Sequence, residues 1–152
     1  MPDHATHMRA AIDEALRAGA AGNIAVGSVV VRDDAVIGAG HNTVNADGDP
    51  TAHAEVMAIR DACRREGSVS LEGATLYTSM EPCPMCLWAI RAAGIGELVL
   101  GARHAHFHRP ELGSYSVEKL IEMTGAPLRL TEGVLVEECL AIRPEVPRMP
   151  TD

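Results

Sequence analysis

The sequence predicts an α/β fold, a three-layer α/β/α sandwich built around a mixed sheet of five strands. Two observations predict this class. An amphipathic helix near the start is followed by two β-rich runs joined by a turn, which is typical of an antiparallel hairpin. From about residue 51 onward, helical and β-rich segments alternate, and this alternation favours parallel strands joined by helical crossovers. A chain of 152 residues fits one domain, residues 1–152, better than two.

The first predicted elements are a helix and a hairpin. Apolar residues recur at helical spacing over residues 8–18, and Gly19 is expected to end that helix. The β-rich run Ile24–Val31 and a second run, AVIGAG, are joined by the turn Arg32–Asp34. The stretch Asn45–Pro50 is dense in turn-forming residues and predicts a loop.

The later elements alternate between helix and strand. Thr51 is expected to cap a helix that runs to about Arg65. Pro84 suits the first turn of a helix, so the cysteines on either side of it lie at a helix N-terminus. The remaining elements, in order, are strand Ala74–Met80, the helix from Pro84, strand Glu97–Ala102, loop Arg103–Ser114, helix Ser116–Gly125, strand Pro127–Gly133, helix Val134–Ile142 and an irregular tail, Arg143–Asp152.

Composition and charge narrow the classes of function. Apolar residues make up 47 % of the chain and charged residues 22 %, an ordinary globular mixture. No apolar run approaches the roughly 20 residues that cross a bilayer, and the first residues lack an export signal, so we expect a cytoplasmic protein without a membrane partner. Lys and Arg number 13 against 21 Asp and Glu, a formal net charge of -8. Binders of nucleic acid usually carry a basic face, so such a partner is not expected.

Two short motifs carry the chemistry, HAEVMAIR from His53 and SMEPCPMC from Ser79. The side chains of His53, Cys83 and Cys86 are donors suited to Zn²⁺, and a helix N-terminus favours the thiolate form of the cysteines. Three protein ligands leave one coordination position open, as in catalytic zinc sites. We therefore expect one Zn²⁺ per chain, with Glu55 beside it as general acid and base.

Two other uses of the cysteine pair stay open, a redox pair and a closed structural zinc site. Cys63 is the candidate for a fourth ligand in a closed site. It lies about three helical turns from His53, which disfavours that role. Cys63 and Cys139 are expected to be small buried residues instead.

A histidine and glutamate separated by one residue, followed by Pro-Cys-x-x-Cys, resemble the signature of zinc nucleobase deaminases. Over residues 8–142 the chain resembles the cytidine deaminase-like superfamily. DPTAHAEVMAIR and LYTSMEPCPMC are similar to its branch of guanine, cytosine and tRNA adenosine deaminases. The resemblance implies that His53, Cys83 and Cys86 hold zinc, that Glu55 moves protons, and that the protein is a homodimer.

Four further residues are expected to contact the substrate. Asn42 matches an asparagine that binds the base in several branches, and Ala54 lies between the histidine and the glutamate of the motif. Phe107, the only phenylalanine, falls in the loop after the fourth strand, as in cytosine deaminases. Trp88 replaces a residue that is usually small and is expected to fill a pocket wall or a subunit interface. The alternating histidines His104, His106 and His108 predict a solvated strand end, and binding of a substrate or a second metal is the alternative.

The resemblance leaves the substrate open among three bases. LTEGVLVEECLAI looks like the C-terminal part of tRNA adenosine deaminases, but their basic, aromatic tail is absent, and Ala92 stands where guanine deaminases carry an aromatic. An acidic chain with one lysine, Lys119, favours a small-molecule substrate, a free nucleobase such as guanine or cytosine. tRNA adenosine deamination is the alternative. Outside enzymes, the alternative is a zinc-stabilised binding module, which would have no use for Glu55.

Overall fold

This computed structural model describes residues 2–143, which contain five strands and six α-helices. The helices are α1 His4–Ala20, α2 Val44–Asp47, α3 Ala54–Glu66, α4 Pro84–Ala92, α5 Val117–Thr124 and α6 Val136–Ala141. The strands are β1 Gly27–Arg32, β2 Ala35–His41, β3 Thr75–Met80, β4 Glu97–Ala102 and β5 Arg129–Thr131. The tail predicted to be irregular lies outside the described residues from residue 144 onward.

The sheet has the strand order β2-β1-β3-β4-β5. Strand β1 pairs antiparallel with both β2 and β3, whereas β3, β4 and β5 are parallel. The hairpin and the parallel crossovers therefore join in one mixed sheet, which confirms the predicted fold class. Among the described helices, none combines the length and apolar composition needed to cross a membrane.

Strands β1 to β4 contribute side chains to two apolar cores, one on either face of the sheet, and β5 contributes to one of them. Val29 and Tyr77 pack with residues of α1 and α6. Val30 and Leu76 pack with residues of α3, α4 and α5. Successive residues of a strand point to opposite faces, so the sheet is the middle layer of a three-layer sandwich.

The loop predicted over Asn45–Pro50 is wrong in its first half, because helix α2 occupies Val44–Asp47. A side chain distant in sequence stabilises this short helix. The Asn23 Oδ1 atom accepts hydrogen bonds from the backbone N–H groups of Asn45 and Ala46, at 3.1 and 3.0 Å. These are N–H groups of the first helical turn, which have no partner within the helix.

The predicted helix cap at Thr51 is also wrong. Helix α3 begins at Ala54, and His53 is its N-cap residue. The Thr51 hydroxyl donates instead to the Asp49 carboxylate, at 2.8 Å, because the turn before the helix offers it a nearer acceptor. A further small difference is that α1 continues through Gly19 to Ala20.

Helix α3 lies unusually close to strand β2, and two glycines of the strand permit this. A Cβ atom on Gly38 would lie 2.5 Å from the Ala62 Cβ, and one on Gly40 would lie 2.3 Å from the Ala58 backbone nitrogen. Both contacts are far below van der Waals distance, so any side chain here would push the helix away. The position of α3 matters because its first turn carries Glu55.

Substitution of Gly40 by alanine should therefore destabilise the protein, because the obstructing atoms belong to the helix backbone. We expect a loss of about 1–3 kcal/mol in the free energy of unfolding, measured by denaturant titration. Gly96→Ala is the matched control, since no heavy atom lies within 4 Å of a Cβ placed there. Equal stability of the two variants would contradict the close approach of α3 to β2.

Candidate metal and catalytic site

The three candidate ligands lie where two helices begin. His53 is the residue before α3 and Cys83 is the residue before α4, and both have an extended backbone conformation. Cys86 follows in the first turn of α4, which opens with Pro84. Proline at this position suits a helix start because its φ angle is already helical and no N–H is needed. Since α3 packs against α4, the two helix starts meet at one point.

The three donor atoms are arranged as one metal ion requires. The His53 Nδ1 atom lies 3.6 Å from the Cys83 Sγ and 3.4 Å from the Cys86 Sγ. With ordinary zinc bond lengths and a tetrahedral angle, nitrogen and sulfur ligands of one zinc ion are separated by about 3.6 Å. All three donors lie within 4.8 Å of one another, and the described residues hold no other such cluster. The residues present therefore fit a zinc ion.

The two cysteines titrate as a pair. A hydrogen bond from Cys86, assisted by one from His53, lowers the pKa of the Cys83 thiol to about 4 against the opposing effect of burial. The same contact with Cys83, together with burial, raises the pKa of Cys86. The pair consequently holds a thiolate at neutral pH, and the thiolate is the form of cysteine that binds metal.

Glu55 lies beside these donors in the protein interior. Its side chain is 4 % exposed, and burial raises its pKa. The Thr78 hydroxyl donates to Glu55 Oε1 at 3.2 Å and so orients the carboxyl group. Because His53 precedes the helix and has an extended backbone, His53 and Glu55 line the same cavity despite being two residues apart. A buried carboxyl group with a raised pKa can both accept and return a proton near neutral pH.

The cavity above the candidate ligands is small, about 150 Å³, below the range of about 300–1,000 Å³ typical of sites for larger ligands. Asn42 and Ala54, two of the four predicted substrate contacts, are among its lining residues. The Asn42 Oδ1 atom accepts a hydrogen bond from the Val44 N–H at 3.1 Å. The amide oxygen of Asn42 is thus bonded to the protein backbone, and its NH₂ group can donate a hydrogen bond to a substrate.

The other two predicted contacts do not line this cavity. Phe107 is buried in the core beside α1 and α6, with the Arg143 guanidinium 5.8 Å from its ring centre. Trp88 lies on α4, is 51 % exposed, and has the Arg91 guanidinium 5.9 Å from its ring centre. A substrate contact for either residue stays a prediction, as does the subunit contact for Trp88.

Three charged residues that the sequence did not single out also line the cavity, Glu81, Arg109 and Arg143, and so does His104 of the histidine segment. The sequence does contain a feature that could have identified Glu81: an acidic residue stands between a buried strand and the Pro-Cys motif. The segment His104–His106 forms a short 3-10 turn and not a solvated strand end. Burial of His104 accounts for this difference, and it also lowers the pKa of its imidazole.

Comparisons with known proteins agree with this geometry. The model of the cytidine and deoxycytidylate deaminase zinc-binding region matches residues 1–102. Guanine deaminase of Bacillus subtilis is 45 % identical over 105 residues, which span 67 % of this chain and 66 % of that protein, just under two thirds of its length. The tRNA-specific adenosine deaminase of the same organism is 36 % identical over 136 residues, 88 % of this chain and 81 % of that protein. A solved structure from studies of A-to-I editing by tRNA:A34 deaminases has a TM-score of 0.79 and 33 % identity, covering 90 % of this chain and 98 % of that chain.

Removal of either cysteine should abolish metal binding, because two remaining donors do not hold zinc tightly. We expect Cys83→Ala and Cys86→Ala to contain far less than one zinc per chain, measured by elemental analysis after dialysis. The control is Cys63→Ala, which removes a cysteine of α3 that is not part of the donor cluster and should retain its zinc. Full zinc content in Cys83→Ala would disprove the ligand assignment.

Proposed function

The chain belongs to the zinc-binding cytidine and deoxycytidylate deaminase family, and we propose on this basis that it hydrolyses an exocyclic amine from a small heteroaromatic ring and releases ammonia. The observation that carries the proposal is the position of Glu55 beside the donors of His53, Cys83 and Cys86 in one small cavity. A purely structural zinc site would have no use for a buried carboxyl group that must lose its hydration.

His53, Cys83 and Cys86 would hold the zinc ion, which would supply Lewis acidity and lower the pKa of a bound water molecule to about 7. Glu55 takes a proton from the water and delivers it to a ring nitrogen of the substrate. It then takes the second proton from the oxygen that has bonded to the ring carbon and passes it to the departing amine, which leaves as ammonia. Burial raises the pKa of this carboxyl, so Glu55 can hold each proton between accepting it and passing it on.

The polar groups around Glu55 favour a ring that carries a carbonyl oxygen. Arg109 lines the cavity. Its Nε–H is paired with Glu111, and its guanidinium carries further N–H groups that can only donate. Asn42 directs its NH₂ group away from the Val44 N–H that binds its oxygen. Guanine and cytosine present an exocyclic carbonyl oxygen to such donors, whereas adenine has none. These contacts and the small cavity support a free oxo-substituted base, guanine or cytosine, as the substrate.

The second candidate is deamination of adenosine in tRNA. Its support is the tRNA-specific adenosine deaminase of Bacillus subtilis, which aligns with 88 % of this chain. However, a tRNA-binding surface needs unpaired cations to neutralise phosphates. Most arginines of residues 2–143 form ion pairs with Asp or Glu. These are Arg17, Arg32, Arg64, Arg65, Arg103, Arg109 and Arg129. The net charge of -8 also opposes binding of a polyanion.

Replacement of Glu55 by glutamine should abolish turnover without loss of the metal. The amide has nearly the same shape but cannot accept the proton, so we expect kcat to fall by about 10²-fold or more. Ammonia release and zinc content are measured on the same preparation. Glu66→Gln, at the far end of α3, is the control and should retain activity. A Glu55→Gln enzyme that turns over at the wild-type rate would refute the proton-transfer role.

A substrate panel distinguishes the two candidate functions. Free guanine, cytosine and adenine, their nucleosides and a tRNA anticodon stem-loop are incubated with the zinc-loaded protein, and ammonia and inosine are measured. We expect ammonia from guanine or cytosine and no inosine in the stem-loop, because the cavity is small and rich in donors. Inosine in the stem-loop, with guanine and cytosine both unreacted, would establish the tRNA function instead.

A further inference from the structure

The connection between β4 and α5 supplies part of the catalytic cavity. We define this connection, Arg103–Ser116, as the β4–α5 loop. It contains two short 3-10 turns and no strand, yet it places His104 and Arg109 in the wall of the cavity that holds Glu55. A loop of this length needs anchors outside itself if its side chains are to have fixed positions.

Glu81 anchors the first end of the loop. Its Oε1 atom accepts a hydrogen bond from the Arg103 Nε–H at 2.9 Å and another from the His104 backbone N–H at 2.9 Å. The Glu81 backbone N–H also donates to the Ala102 carbonyl at 2.8 Å. The start of the loop is therefore attached to the residue two positions before Cys83.

The same residue anchors the second end. The other carboxylate oxygen of Glu81, Oε2, accepts a hydrogen bond from the Val117 backbone N–H at 3.1 Å. Next to it, the Pro82 carbonyl accepts a hydrogen bond from the Tyr115 hydroxyl at 2.6 Å. Both ends of the loop thus meet Glu81 and Pro82, the two residues directly before the ligand Cys83.

The Glu81 carboxylate is buried, so its charge and its oxygens need partners within the protein. Glu81 is 3 % exposed, and a buried carboxylate is stable only when its oxygens are hydrogen-bonded and its charge is paired. Arg103 provides the charge and is itself held from outside by Glu118 and Glu132. All the side-chain partners of Glu81 named here come from the two ends of the loop.

We propose that Glu81 is a positioning residue for the reaction, which fixes both ends of the β4–α5 loop against the start of the zinc-binding helix and thereby holds Arg109 in the catalytic cavity. The effect on catalysis rests on the function proposed above, whereas the effect on the loop does not. Glu81 acts on the substrate through Arg109 and not by contact with the reacting atoms.

The first test measures the loop itself by hydrogen exchange on the zinc-loaded protein. In Glu81→Gln, one carboxylate oxygen becomes an NH₂ group that cannot accept, and Arg103 loses the buried one of its three charge partners. We expect amide exchange over residues 104–117 to accelerate about tenfold or more, because opening of the loop becomes easier. Zinc content should stay at one per chain. Unchanged exchange would overturn the proposal whether or not the protein is a deaminase.

The second test measures catalysis with the base identified by the substrate panel. We expect KM to rise about tenfold in Glu81→Gln while kcat changes by less than about threefold, because substrate contacts are displaced and Glu55 is not. The matched control is Glu132→Gln, which removes an exposed partner of the same Arg103 and should leave KM unchanged. An unchanged KM in a Glu81→Gln protein with a loosened loop would overturn the catalytic part of the proposal.

A double substitution separates positioning from general stabilisation. If Glu81 acts through Arg109, then adding Glu81→Gln to Arg109→Ala should raise KM by less than about twofold further, since coupled residues are not additive. Full additivity of the two effects would overturn the proposal. Should Glu81→Gln fail to fold, Tyr115→Phe loosens the second anchor alone by removing the hydroxyl bonded to Pro82. It should show the same faster exchange and raised KM to a smaller degree, and wild-type values for both would overturn the proposal.

Discussion

The meeting of two helix starts is the constraint on which the rest of the structure depends. One zinc ion requires its ligands at separations of a few ångströms, and here these ligands come from the N-termini of α3 and α4. Each helix start is fixed from a different side. Gly38 and Gly40 let α3 lie against β2 without intervening side chains, and Pro84 starts α4 directly after the chain leaves β3. In the mixed sheet, β3 lies between β1 of the hairpin and the parallel strand β4, so the chain that leads to Cys83 leaves from the centre of the sheet.

Burial of charge follows from the same constraint. The Cys83 thiolate and the Glu55 carboxyl both lie in or next to a small cavity, where isolated charges are costly. The Cys83 thiolate is stabilised by hydrogen bonds from Cys86 and His53, and Glu55 responds to burial with a raised pKa. The site is thus arranged so that one group keeps its negative charge for the metal while its neighbour can hold a proton. This division suits a hydrolytic reaction in which a proton must be stored and returned.

Sequence reasoning succeeds where local signals dominate. The strand bounds of β4, the α4 start at Pro84 and the convergence of His53, Cys83 and Cys86 follow from short motifs and turn-forming residues. It fails where a distant residue decides the outcome. Helix α2 forms because Asn23 caps it across the fold. The inward position of Arg109 and the anchoring by Glu81 depend on loop geometry that no periodicity or spacing encodes.

This difference also explains why the chemistry is easier to identify than the substrate. The family match ends at residue 102, and the residues proposed to hold zinc and move protons, His53, Glu55, Cys83 and Cys86, all lie before it. The β4–α5 loop, which brings Arg109 to the cavity, begins at the next residue. One family can therefore keep a common reaction centre on rigid helix starts and change its substrate through a loop attached beside it. We propose that the choice between substrates is made by the loop and by Arg143, which lies beyond the matched region as well. The alignment with the tRNA-specific adenosine deaminase spans 88 % of this chain and so includes the loop, which is why adenosine in tRNA stays the second candidate substrate.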